Sequence, residues 1–298
     1  MHSAGIHGKP SVFSFRQRHP APGTIRSCAN DAREPRNHDP HFPLVFRGNA
    51  RRPRCTFMPA ASKLPFHVYF FCHLLGGLLI GLVLYALKRD RLLVAAAVIG
   101  SVLPDLIDKP LGFLITGTVG YGRIYAHTLL FFLVLLLAGI IVWRMCSPRA
   151  CHLVGATAAG VLSHQLLDAM WLEPSTWYWP LLGPFPPPET DIPLLSYLLG
   201  NILQPAEWLF AAACFFLAAG LAGLHGRWQR IAPALSLVLA FFAMWVFLCA
   251  LTGSWCPVTG WDDRWDNAIV ASMLLLGAAG VDRAGGGMSR IATPHAER

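Results

Sequence analysis

The chain has 298 residues, of which 54% are hydrophobic and only 13% charged, with 24 Lys and Arg against 16 Asp and Glu. Such a composition excludes an ordinary soluble domain and identifies an integral membrane protein. The basic excess does not point to nucleic acid, because it is local: residues 1–60 hold ten Lys or Arg against three acids, and the remaining 238 hold fourteen against thirteen.

Residues 1–60 form a basic, proline-rich leader with no apolar run and no helical or strand period, which reads as disordered. It lacks the apolar core of a secretory signal, and its prolines argue against an amphipathic transit helix. A start of translation at Met58, just before the first apolar stretch, accounts for it most simply. The eight cysteines show no paired spacing, and Cys72, Cys214 and Cys249 lie inside apolar runs as small buried hydrophobes.

A spanning helix needs about 20 mainly apolar residues. Candidates follow in order at 66–87, 92–107, 124–143, 153–172, 207–224, 231–251 and a shorter 267–281. The expected fold is an all-α polytopic transmembrane helix bundle of about seven spans. Pro104, Pro110 and the glycines between 112 and 122 predict that the second span ends in a bent or re-entrant segment. The organisation expected is a leader over 1–60, a polar-site core over 61–190, scaffold helices over 191–285 and a cytoplasmic tail over 286–298.

Lys88, Arg89, Arg91, Arg144, Arg149, Arg227, Arg230, Arg283 and Arg290 fall in alternate connections, which the positive-inside rule makes cytoplasmic. The opposite loops hold Glu173, Glu189, Asp191, Asp262, Asp263 and Asp266, with a crowd of tryptophans such as Trp171, Trp177, Trp179 and Trp261. The expected address is the plasma membrane, multi-pass, with the body starting outside.

Ionisable residues stand inside these spans, where each charge costs roughly 2.5 to 3.5 kcal/mol on insertion scales, so a cluster of them is by default a site. At 1.5 Å per residue, His73 lies roughly 10 Å and His164 roughly 12 Å below the outer ends of their spans. Asp105 comes to about 10 Å below the same boundary. Asp168 follows His164 by four and Asp108 follows Asp105 by three, which puts each pair on one helical face; His127 opens the third span on the same side. Three imidazoles and three carboxylates, His73, Asp105, Asp108, His127, His164 and Asp168, suit a one- or two-metal centre of zinc, manganese or iron. Asp108 and Asp168 are the candidates for general base, and Arg123, four residues before His127, stands where a cation meets a phosphate.

The pieces His73-Leu74-Leu75-Gly76, Gly100 to Asp108 (Gly-Ser-x-Leu-Pro-Asp-x-x-Asp), Arg123 to Thr128 (Arg-x-x-x-His-Thr) and His164 to Asp168 (His-x-x-x-Asp) come in a telling order. Together with Trp179 to Phe185 they resemble the membrane-bound metal-dependent hydrolases, also called LexA-binding inner-membrane hydrolases. The resemblance covers about Phe66 to Pro186 and implies a bacterial or archaeal plasma-membrane protein with ligands at His73, Asp105, Asp108, His127, His164 and Asp168. Two positions depart from the family pattern: Gly122 where many members have a His before the Arg, and Lys109 where a His often follows the second Asp. Each removes one candidate ligand and leaves open a mononuclear site.

The function expected is metal-dependent hydrolysis at the outer face, with membrane lipid as partner and a lipid or lipid-linked phosphoester as substrate. The loop from Glu173 to Pro205 reads as a lid or as an interfacial anchor. The rival class is an ion or proton transporter or channel using the same cluster, but no matching ionisable residues continue through the cytoplasmic halves and no inverted repeat is visible. A third reading is a structural polar cluster that only locks helices together. No phosphate-binding glycine loop, nucleophile elbow or nucleic-acid module is present.

Overall fold

The structure, a computed structural model, describes residues 69–117, 121–145, 147–186, 199–200, 202–223 and 226–291. The leader, the Met58 start and the loop segment 187–198 lie outside the described residues.

Helix α1 spans Phe70–Lys88. No side chain of its own caps it; the Glu207 carboxylate reaches across and accepts from the amides of Phe70 at 2.6 Å and Phe71 at 3.0 Å. These are amides a helix start leaves without intrahelical partners. Arg89 in the left-handed region ends α1, and Asp90 caps α2 by accepting from Leu92 N at 3.0 Å.

Helix α2, Arg91–Thr116, runs unbroken through Pro104 and Pro110 and stops at Gly117 with φ of 74°. The re-entrant ending expected after residue 107 is therefore replaced by a continuous helix of 26 residues, about 39 Å long. Each proline removes a backbone donor; Pro104 is buried in the helix that α1 and α4 pack along, whereas Pro110 is exposed, and the helix runs through both. Helix α3, Leu129–Met145, starts five residues later than expected because the backbone of 124–127 is drawn into side-chain contacts described below. Ser147 caps α4, Pro148–Leu167, and Ala169 at φ 50° turns the chain into a 3-10 turn (Met170–Leu172) and the short α5 (Pro174–Trp177). Then come α6 (Pro205–Leu221), α7 (Arg227–Thr252) and α8, Arg264–Ile291, which extends into the stretch expected to be a tail.

Among the described residues, three segments are long and apolar enough to cross a membrane: Phe70–Lys88, Arg230–Thr252 and Arg264–Gly285; α3 and α6 are apolar but 17 residues long. Helices α2 and α4 have the length and lack the composition, since they carry the buried polar residues. Helix α1 is the hub and packs against α2, α4, α6 and α8. On one side it joins α6, α7 and α8 around an apolar core with Leu75, Phe210, Leu239 and Leu274 at its centre. On the other, α2 and α4 cross so closely that a Cβ on Gly100 would sit 2.1 Å from the Thr157 carbonyl oxygen and one on Gly160 2.2 Å from that of Ala97. Small residues allow that approach, and it puts polar side chains of both helices within reach of one another.

Candidate metal centre

Asp108, fully buried on α2, is the anchor of the site. Its carboxylate accepts from the backbone amides of Ile124 at 2.9 Å, Ala126 at 2.9 Å and His127 at 3.1 Å, and lies 2.7 Å from His127 Nδ1. A carboxylate holding three amides accepts the fourth contact too, so Nδ1 carries the proton and the lone pair sits on Nε2. From α4, the buried Gln165 donates to the carbonyls of Ala126 at 3.2 Å and Thr128 at 2.8 Å, while its own oxygen accepts from Trp177 Nε1 at 3.1 Å. Thr128 Oγ1 accepts from Phe131 N at 3.1 Å and caps α3. The turn carrying His127 is thus gripped from both sides.

His164, also fully buried, is fixed in the same way: its Nδ1 is 2.7 Å from the Ser101 carbonyl oxygen, which can only accept. Two imidazoles with protonated Nδ1 atoms now turn their Nε2 lone pairs toward each other at 3.1 Å. Asp105 Oδ1 is 3.6 Å from His127 Nε2 and 3.8 Å from His164 Nε2; Asp168 Oδ2 is 3.3 Å and 3.6 Å from the same two atoms. Both carboxylate oxygens are buried and make no hydrogen bond. Lone-pair donors gathered this closely in a buried site repel each other unless a cation or proton sits among them, and the nearby Arg123, 3.3 Å from Asp168 Oδ2, faces one of the four. Ligand bonds of about 2.0 to 2.2 Å place neighbouring donors of a tetrahedral ion about 3.3 to 3.6 Å apart; His127, His164 and Asp168, separated by 3.1, 3.3 and 3.6 Å, come close to that spacing for a divalent metal, and Asp105 Oδ1 stands a little wider at 3.6 and 3.8 Å from the two imidazoles. Outer partners on each Nδ1 are also what orient metal-ligating histidines.

Metal-capable groups among the described residues are His127 with His164 and Asp168, and His73 with Asp105 and His164. The two share His164. His73, from α1, stacks on the His164 ring at 4.0 Å between centroids and brings its Nε2 to 3.2 Å from Asp168 Oδ1. Five of the six residues singled out from the sequence therefore meet, and Asp108 stands behind them with its oxygens on the loop amides. Asp105 Oδ2 is taken by Lys109 Nζ at 2.6 Å. Arg123 places Nε 3.3 Å from Asp168 Oδ2 and Nη1 2.6 Å from Glu173 Oε1. Burial works against the Arg123 charge, but Asp168 and Glu173 outweigh it and hold the guanidinium protonated more firmly than usual.

A cavity of about 30 Å³ borders His73, Asp168 and Arg123, and its far wall is Tyr69, Trp261 and Asp266. Space of that size admits about two waters. The last helix thus closes the site rather than standing apart as scaffold. Glu173 and Asp266 entered the sequence reading only as loop charges, and Gln165 and Glu207 were not singled out as site residues; the position of Gln165 directly after His164 was the one available signal. In the outer loop, Trp179 stacks on Phe185 at 5.0 Å, and both present edges to Tyr125, two residues before His127.

Comparison with curated proteins and with solved structures returned no match. The family model described as YdjM inner membrane protein matches residues 69–256. That interval contains every side chain of the cluster and the loop to Cys256, and leaves out most of the cavity's far wall. Covering well over half of the sequence, the match means that the chain belongs to the YdjM inner membrane protein family.

Proposed function

We propose that the chain is an integral-membrane hydrolase that uses one divalent metal held by Asp105, His127, His164 and Asp168. The observation that carries this is the pair of Nε2 atoms 3.1 Å apart, each with its Nδ1 already committed, beside two buried carboxylate oxygens without hydrogen bonds. Lys109 on the second oxygen of Asp105 favours one ion over two. When bound, the metal supplies Lewis-acid polarisation and a water of lowered pKa. Asp108 positions His127. His73 borders the cavity with Asp168 behind its Nε2, so it takes a proton from the attacking water while Asp168 stabilises the imidazolium. Arg123 neutralises charge developing on a phosphoryl oxygen, oriented by Glu173.

The substrate class that fits is a lipid or lipid-linked phosphoester entering at the depth of the cavity. All seven long helices span the membrane in this reading, with the site near the outer face. The polarity of α2 and α4 is consistent with it, because Ser101, Asp105, Asp108, His164 and Gln165 are buried inside the bundle.

Elemental mass spectrometry on detergent-purified protein tests the centre. We expect about one equivalent of zinc, manganese or iron in the wild type, absent from a folded His164→Ala, Asp168→Ala double variant. Absence of metal from the wild type after supplementation overturns the reading and favours a polar cluster that serves helix packing alone.

A further inference from the structure

Two grooves flank α1 at the end of the bundle remote from the metal cluster. The first, about 420 Å³, runs between α1, α2 and α6, from Leu74 and Cys214 near the middle of the bundle down to Leu221, and its single charged lining residue is Arg91. The second, about 390 Å³, runs between α1 and α8 from Leu79 and Leu276 down to Leu84, and its single charged lining residue is Arg283. Walls otherwise apolar, with one guanidinium at the same end of each, make the same chemical pattern twice on opposite flanks of one helix.

That end carries Lys88, Arg89, Arg91 and Arg283, which the positive-inside rule makes cytoplasmic. From Cys214 to Leu221 is seven residues of helix, about 10 Å of slot. The slot is therefore open to the hydrocarbon of one leaflet and ends at the depth of that leaflet's phosphates. An uncharged sterol or acyl chain would fill the walls and leave the arginines unused. A zwitterionic headgroup would meet each guanidinium with a cation beside its phosphate. Charge complementarity selects a net-anionic phospholipid, and Arg presents a planar fork suited to its phosphate oxygens.

We propose that each groove seats one anionic phospholipid of the cytoplasmic leaflet, an acyl chain along the helices and the headgroup phosphate on Arg91 or Arg283. The two lipids brace α1 from both sides. Helix α1 carries His73 and is held at its other end by the Glu207 carboxylate, so the two lipids would fix the end that Glu207 does not reach.

Native mass spectrometry of the full chain reads the occupancy directly. Protein released from mild detergent with equimolar phosphatidylglycerol and phosphatidylcholine should retain up to two phosphatidylglycerol molecules and little phosphatidylcholine. Arg91→Gln and Arg283→Gln should each remove one of the two, weakening retention about fivefold. Ala95→Trp, which fills the first groove while keeping Arg91, should remove that lipid alone. Arg149→Gln is the control: its guanidinium lies at the same end but is occupied by Asp90 at 2.9 Å, and it should leave both lipids in place. Equal retention of the two lipid types, or two lipids retained in both the Arg91→Gln and the Arg283→Gln proteins, overturns the proposal. The count does not depend on metal, so the outcome is separate from that of the hydrolytic reading.

Discussion

Helices α2 and α4 cross on backbone and polar contacts; α7 and α8 pack on side chains. The first pair meets through Gly100 and Gly160, whose Cβ positions are closed off by carbonyl oxygens, and is joined by His164 to the Ser101 carbonyl. The second buries Leu239, Val246, Leu274 and Val281, with Ser236 Oγ donating to the Ala278 carbonyl at 3.0 Å. Apolar interfaces tolerate adjustment, because a methyl group can shift against a flexible neighbour. Polar interfaces do not, since each buried donor or acceptor that loses its partner carries the whole desolvation cost. The α2–α4 interface is therefore specified atom by atom and the α7–α8 interface by volume.

The sharpest break in that contrast is Asp108→Ala. It would strand three amides and the Nδ1 of His127 in a fully buried place, so we expect a loss of about 3–5 kcal/mol, read as a lowered unfolding temperature in detergent. Any protein that survives should also lose metal, because the His127 ring is no longer oriented. If Asp108→Ala unfolds with the wild type, the loop is held by Gln165 alone and the anchoring role assigned to Asp108 is wrong.

Glycine substitutions give the next largest effect and compare the two kinds of interface directly. Gly100→Ala puts a methyl 2.1 Å from a carbonyl oxygen that belongs to the backbone of α4, which forces the helices apart and should cost about 1–3 kcal/mol. Gly277→Ala in α8 meets the Leu75 Cδ2 methyl at 3.1 Å, the end of a flexible side chain, and should stay within about 0.5 kcal/mol of the wild type. Gly277 faces α1 and α6 across the apolar core, so equal losses in the two variants would erase the distinction between the α2–α4 crossing and that core. Ser236→Ala, which removes the bond between α7 and α8, should cost about 0.6 kcal/mol, the common worth of such a bond between membrane helices.

What the sequence revealed of this arrangement was periodic. Spacing places Asp105 with Asp108 and His164 with Asp168 on shared faces, and apolar runs locate the helix starts to within five residues, while α2 and α8 run nine and ten residues past their expected ends. Direction was not legible: the three-residue step from Asp105 to Asp108 says nothing about one carboxylate facing the histidines while the other faces three amides. The late start of α3 follows from the same hidden fact, since a chain whose amides are claimed by Asp108 cannot use them in a helix. Proline at 104 and 110 suggested a break, yet α2 runs through both, with Pro104 buried in the bundle and Pro110 exposed. Gln165 carries no charge and has no period of its own, yet it joins the His127 turn to Trp177 and so to the outer loop. Glu207 was hidden for a different reason. Its partners are the first amides of α1, some 137 residues away in sequence.

The smallest effect lies at the basic end, outside the helices' apolar spans. Asp90 caps α2 and accepts from Arg149 Nε at 2.9 Å, and the Arg149 bond, with the Leu92 amide second, lowers its carboxyl below the ordinary value near 3.8. A folded-state pKa below the unfolded one means the pair contributes stability above the unfolded value and loses it as pH falls through the folded one. Asn caps a helix about as well as Asp, so Asp90→Asn removes the ion pair and spares the cap. The variant should unfold slightly below the wild type at neutral pH, and the gap should close as the pH is taken below about 4. It should also shrink in high salt, because Arg149 is 66% exposed and the pair is screened. A gap that persists in acid would mean that Asp90 acts through α2 capping geometry that Asn does not reproduce, and that the ion pair with Arg149 is not the source of the difference.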